Sequence, residues 1–163
     1  MVFSRNQGNE DLFLWTAAAP TPTAITGGMG DQTRARFAGN DRVVFYSNDR
    51  GEDLWDIVVA PTTPGKPRLT LAKDIRLPLR SQPQLTPDGT AILYTSAAPS
   101  QDSYVFVTTL DGLSTKKINT GLVAVGDPTA VVVGGRTMLA FTALPTSGSD
   151  WRQLHVIDVT GQL

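Results

Sequence analysis

The stretch Ser47–Ile57, SNDRGEDLWDI, restates an earlier one, Ser4–Leu14, SRNQGNEDLFL. Over a slightly longer window, VFSRNQGNEDLF (Val2–Phe13) and VFYSNDRGEDLW (Val44–Trp55) align without a gap at an offset of 42 and agree at six of twelve positions. Two weaker copies follow, ILYTSAAPSQDSYVFVTTLDG (Ile92–Gly112) and LAFTALPTSGSDWRQLHVIDVTG (Leu139–Gly161). They place Tyr46, Tyr94 and Phe141 at one repeat position, at spacings of 48 and 47. Repetition on this scale marks an architecture built from copied supersecondary units, because a single unit cannot bury both of its faces alone.

The unit is made of strands. Apolar residues come in short runs rich in Val, Ile, Leu, Phe and Tyr, separated by Gly, Pro, Asn, Asp, Ser and Thr, and helix signals are nearly absent. In each copy a strand ends in an aromatic and a small polar residue. A polar loop, a second strand and a turn follow. The short alternating segments PTAITGG (Pro22–Gly28), PRLTLAK (Pro67–Lys73) and TKKINTG (Thr115–Gly121) supply a further strand. One more precedes the next copy: TRARFAGNDR (Thr33–Arg42), SQPQLTPDGT (Ser81–Thr90) and DPTAVVVGGR (Asp127–Arg136). Each of these ends in a tight turn, at Asn40-Asp41, Asp88-Gly89 and Gly134-Gly135, where the residues suit positive φ. Four strands per repeat of roughly 45 residues is the arithmetic of a β-propeller blade.

These segments resemble the TolB-like, WD-repeat-like propeller family. PQLTPDGTAILYTS (Pro83–Ser96) follows that family's Ser-Pro-Asp-Gly turn and aromatic-ended strand, with Thr86 in place of Ser, and Asp53-Leu54-Trp55 stands at its Asp-apolar-aromatic position. RFAGNDR (Arg36–Arg42) lacks Pro-Asp-Gly, and VVVGGR (Val131–Arg136) keeps only a glycine turn. The resemblance implies an all-β fold: a β-propeller of four-stranded antiparallel blades, either partial, at about 3.5 blades, or part of a larger propeller. The chain, 1–163, reads as a single propeller domain or fragment with blade segments at about 2–39, 40–82, 83–127 and 128–163. Strand order gives two full blades and two partial ones. Three explanations stand: a fragment of a longer protein, a four-bladed ring whose terminal strands complete one another, or assembly with another chain. In this frame Asp11 and Asp53 brace the loop before the third strand, and Trp15, Trp55, Phe45, Tyr94 and Phe141 form the core between blades.

Composition narrows the function classes. Apolar residues make up 40% and charged residues 18%, and the net charge is -1, which offers nothing to draw in nucleic acid or an acidic membrane. Aromatic and basic residues do not interleave as a nucleic-acid platform requires. No apolar run approaches the ~20 residues of a membrane helix. MVFSRNQ (Met1–Gln7) is not a signal peptide, so the signal of an exported protein would lie outside this chain. There is no cysteine, which removes disulfides, thiolate chemistry and cysteine–zinc sites.

Catalytic patterns are missing as well. The one histidine, His155, alternates with apolar residues in LHVIDV (Leu154–Val159) and reads as a sheet histidine bonded to a neighbour. No Gly-x-Ser-x-Gly elbow accompanies it, and neither phosphate-binding glycine motif occurs. NDRGED (Asn48–Asp53) offers oxygen ligands from Asn48, Asp49, Glu52 and Asp53, but Arg50 interrupts them and the spacing is not that of a calcium loop. The sequence therefore predicts no catalytic residues, no cofactor and no metal.

What remains is surface. In a propeller, the loops between second and third strands and the connections between blades gather at one face. Here these are Arg5–Glu10, Asn48–Glu52, Ala97–Ser103 and Leu144–Arg152, with Gly27–Arg34 and Lys73–Gln82. They carry the candidate partner-binding residues Arg5, Asn6, Asn48, Asp49, Arg50, Trp151 and Arg152, of which Trp and Arg are types enriched at interface hot spots. The expected role is a non-catalytic protein–protein interaction module, which the resemblance places in the bacterial periplasm or cell envelope. The partner is a protein, with no nucleic acid and no direct membrane insertion. Two alternatives stand beside it: the accessory propeller portion of a peptidase or polysaccharide lyase, and a scaffold subunit of a membrane-attached complex.

Overall fold

The structure, a computed structural model, describes residues 1–6, 9–51, 55–75, 82–97, 103–122, 125–144 and 151–163. Every regular element among them is a β-strand, and the strands form four antiparallel sheets in chain order. β1 (Val2–Asn6), β2 (Glu10–Thr16) and β3 (Ala19–Ala24) make the first, in the order β1-β2-β3. β4 (Gln32–Phe37), β5 (Arg42–Ser47), β6 (Trp55–Pro61) and β7 (Leu69–Ile75) make the second. β8 (Gln84–Leu85), β9 (Ala91–Ala97), β10 (Ser103–Thr109) and β11 (Thr115–Lys117) make the third. β12 (Gly126–Val133), β13 (Arg136–Ala143) and β14 (Gln153–Asp158) make the fourth. No helix among the described residues is long and apolar enough to cross a membrane.

The expected four-stranded blade is thus whole in the second and third sheets and three-stranded in the first and fourth. The boundary drawn at 39/40 needs correction. β4 hydrogen-bonds to β5, with Phe37 opposite Val43 and Thr33 opposite Tyr46, so that boundary cuts a hairpin and the second sheet begins at Gln32. Likewise β12 pairs with β13, so the fourth sheet starts at Gly126 and not at 128. The repeat was read from the similarity of Val2–Phe13 to Val44–Trp55, whereas hydrogen bonding defines the sheet.

The chain packs as two compact units, Met1–Pro83 and Gln84–Leu163. In the first, Leu12 and Ile25 of the first sheet and its following loop bury against Val43, Phe45, Val58 and Ala60 of the second, with Val2, Leu14 and Ala35 at the margin. In the second unit, Ala91, Leu93, Val105 and Val107 of the third sheet bury against Leu139, Phe141 and Ala143 of the fourth. Period-two alternation sends the intervening residues to the opposite faces. Val43–Ser47 of β5 are buried without a break, so that strand is covered on both faces.

Alternation also fixes the repeat register. Phe3 pairs with Phe13, Tyr94 with Phe106 and Phe141 with His155, and each pair is stacked, at centroid distances of 6.0, 5.7 and 5.5 Å. The counterpart in the second sheet is Phe45, opposite Val58. Tyr46 therefore does not share the position of Tyr94 and Phe141; a one-residue slip in a strand exchanges faces, and Tyr46 lies on the other one. Phe45, Tyr94 and Phe141 are buried, as expected of core residues, and Trp55 is half-buried. Trp15 is 39% exposed, contrary to expectation, because no sheet of its unit covers that face of the first sheet.

Turn chemistry follows the sequence closely. Gly89 has φ 71°, and Gly134 and Gly135 have φ 56° and 77°, which side-chain-bearing residues adopt at a cost. At the β4–β5 turn the positive φ falls on Gly39 and not on Asn40 or Asp41.

Candidate functional site

One end of the first unit brings three separate segments together: Asn9 before β2, Gly27–Asp31 before β4, and Asn48–Gly51 after β5. The binding is local and polar. The Asn9 side-chain amide donates to the carbonyls of Gly28 and Gly30, at 2.9 Å each. Asp31 Oδ1 accepts from the Glu10 amide at 2.7 Å, while the Asp31 amide donates to Asn48 Oδ1. The fully buried Gln32 donates from Nε2 to the Gly30 carbonyl and to Asp49 Oδ1, both at 2.7 Å. Arg68 reaches Asp49 Oδ2 at 3.3 Å and the Gly27 carbonyl at 2.9 Å.

The two inner glycines are needed for close approach. A Cβ on Gly30 would stand 2.6 Å from the Asn48 backbone carbonyl, and one on Gly28 would stand 2.6 Å from Asp49 Oδ1. Between these segments lies an open cavity of about 390 Å³, lined by Asn9, Met29, Gly30, Asp31 and Asn48–Gly51. Met29 stands at its rim, 96% exposed.

Arg50 turns inward. Its Nε and Nη2 grip Asp56 at 3.0 and 2.6 Å, and Nη2 also reaches Asp74 at 2.6 Å. The bidentate grip on Asp56, then the bond to Asp74, hold the guanidinium well above its ordinary pKa, so the charge is fixed. Asp74 carries φ 56°, an unusual conformation for a non-glycine residue, and its amide also donates to Asp56. Arg50 therefore ties the segment after β5 to β6 and β7.

Beside the cluster, burial raises the pKa of Asp11; Arg68 opposes this, and Asp49 and Asp31 add to it. Asp11 Oδ1 and Gln32 Oε1 are buried without hydrogen-bond partners. The bracing role expected of Asp11 is not visible at Oδ1, and Asp53, its repeat equivalent, lies outside the described residues with Glu52.

Asn48, Asp49 and Arg50 line this cavity. Arg5 is exposed on β1 opposite Asp11, and Asn6 ends that strand opposite Glu10. Trp151 and Arg152 belong to the second unit. Trp151 is 82% exposed, and Arg152 lies over Gly126, where a Cβ would stand 2.9 Å from its Nη1. Sequence reasoning named the loops Arg5–Glu10 and Gly27–Arg34 without singling out Asn9, Met29 or Gln32 in them, and it missed Arg68. The signal for Met29 was the tract Gly27-Gly28-Met29-Gly30, which asks for backbone approach. Gln32 and Arg68 carry no local mark.

Chemically, the cluster can present amides, carboxylates and one thioether. Asn48 Oδ1 and both Asp49 oxygens already accept hydrogen bonds. Among the described residues no three His, Cys, Asp or Glu side chains stand close enough to hold a metal. His155 stacks on Phe141, with Nε2 buried and unpartnered rather than bonded to a neighbour.

No family model matches the chain, and no curated protein matches it by sequence. Among solved structures, a candidate TolB from Agrobacterium tumefaciens superposes with a TM-score of 0.65 at 15% sequence identity, over 97% of this chain. The fold resembles a TolB propeller. The match takes in both units of this chain, and a partial propeller fits it. It spans 57% of the Agrobacterium protein's length, and at that identity it speaks for the fold alone.

Proposed function

We propose that this chain is a non-catalytic protein-binding module of the TolB-like type, working in the bacterial periplasm or cell envelope. The observation that carries the reading is the loop end of the first unit. Three segments are locked by side-chain-to-backbone hydrogen bonds, yet they present an open polar cavity with a fully exposed methionine at its rim. A pre-organised loop surface loses little conformational freedom when a partner docks, and an exposed thioether adapts to varied apolar groups. The placement in the envelope rests on the sequence resemblance to TolB-like repeats. Trp151 offers a second contact of the aromatic type common at hot spots.

The test is affinity capture from an envelope fraction with the tagged chain and its Met29→Glu and Trp151→Ala variants, followed by mixing of the purified components. The reading expects one protein retained by the parent chain, binding it directly, and weakened by Met29→Glu by ~10-fold or more. Binding indifferent to both substitutions would overturn it. So would peptidase or lyase turnover by the purified chain that disappears in His155→Ala.

A further inference from the structure

We propose that the loop-end cavity of the first unit is a seat for an arginine side chain carried by the partner protein; this rests on the protein-binding reading above and names the chemistry that the surface holds. Donors and acceptors are out of balance there. Asn9 spends both N–H groups of its side-chain amide on the carbonyls of Gly28 and Gly30, so Oδ1 is the end left to bond. Gln32 spends both of its own on the Gly30 carbonyl and Asp49 Oδ1, and its Oε1 is buried with no donor. Asp31 uses Oδ1 on the Glu10 amide, and its own amide is taken by Asn48 Oδ1. Amide nitrogens with no hydrogen left to give, beside oxygens with lone pairs to spare, call for a ligand that brings donors.

The charges point the same way. Two guanidinium groups of this chain already sit on carboxylates of the same loop end. Arg50 bridges Asp56 and Asp74, and Arg68 bridges Asp49 and the Gly27 carbonyl. Asp31 lines the cavity with Asn9 and takes part in none of these ion pairs. Arg50 lines it too, but its charge is already met by two carboxylates.

Of the two basic side chains, arginine fits better. A guanidinium presents five N–H donors in a rigid fork, whereas an ammonium is a point charge with three. The fork suits a wall whose acceptors, the Asp31 carboxylate and Asn9 Oδ1, come from separate segments. The volume, about 390 Å³, falls within the ~300–1,000 Å³ of ordinary ligand pockets. Met29 at the rim offers an apolar contact for the methylene stem of an arginine whose head is inside.

The probes are acetylated, amidated Gly-Arg-Gly and the same tripeptide with citrulline or glutamate at its centre. Citrulline keeps the shape and lacks the charge. Each is titrated into nitrogen-15-labelled chain while backbone amide signals are followed. The arginine peptide should give saturable shifts at Gly30, Asp31 and Gly51 with a Kd of ~1 mM, weakened by added salt, and citrulline should bind ~10-fold more weakly. The glutamate peptide should give none. Asp31→Asn keeps an oxygen for the Glu10 amide, so the melting temperature should hold while affinity for the arginine peptide falls ~10-fold or more. No saturable shift overturns the proposal, as do shifts that citrulline reproduces at equal concentration or that survive Asp31→Asn. Capture from the envelope fraction separates the two readings. Retention of a protein that depends on Met29 and is indifferent to Asp31→Asn overturns the arginine seat and leaves the protein-binding reading standing. Arginine-peptide binding by a chain that retains no protein upholds the seat and removes that reading.

Discussion

Two aspartates have their pKa values moved in opposite directions, Asp88 down by hydrogen bonds and Asp11 up by burial, and acid titration separates them. Asp88 takes hydrogen bonds from the Thr86 hydroxyl at 2.6 Å and from the Thr90 amide and hydroxyl at 3.1 and 2.9 Å, which hold its pKa below the ordinary value. A depressed folded-state pKa adds stability that is present above the unfolded value, ~3.9, and is lost as pH falls through the folded one. Asp11, raised by burial, has the reverse sign: its contribution is present below ~3.9 and is lost as pH rises through the folded value. Asp88→Ala should therefore lower the melting temperature at neutral pH, by an amount that shrinks in acid. Asp11→Asn should raise it at neutral pH, and that gain should also fade in acid. Thermal melts across an acid-to-neutral series check both signs. The sequence marked Asp88 through its turn motif. It could not show that Asp11 sits near Asp31 and Asp49, because that proximity depends on loops 20 or more residues away along the chain.

At the scale of elements, turns and strands were readable and their grouping was less so. Gly134-Gly135 predicted the β12–β13 hairpin, and both residues lie at positive φ with Val133 paired to Arg136 across them. Gly135→Val should destabilise the chain by ~1–2 kcal/mol, as a branched residue is forced into the left-handed region, whereas Gly134→Asn should cost much less. Urea unfolding of the two variants makes the comparison. The grouping of strands failed at 39/40 because the repeat was read from Val2–Phe13 and Val44–Trp55, while β4 joins its sheet through residues the repeat does not preserve. Irregularity contributed. Register shifts within the β4–β5 and β12–β13 ladders, with Arg34 at φ 56° and Asp127 at φ 50°, break the simple alternation that a sequence reader counts on.

For the molecule as a whole, the repeat was legible because each copy places an aromatic residue at one strand position, Phe3, Phe45, Tyr94 and Phe141. Composition cannot say which aromatic in a Phe45-Tyr46 pair faces inward; only the face of the strand decides. The partner-binding end was legible as a class of loops but not as a surface. Its cavity forms where Asn9, Gly30 and Asn48 converge, and its most exposed member, Met29, looks like a core residue in the sequence. The central claim is that these strands are copies of one blade held in one register. Side-chain nuclear Overhauser contacts in isotopically labelled protein test it most directly. The account predicts ring-to-ring contacts for Phe3–Phe13, Tyr94–Phe106 and Phe141–His155, and contacts from Phe45 to Val58 and Leu12. Contacts from Tyr46 to Leu12 in place of Phe45, or loss of the three ring pairs, would contradict it.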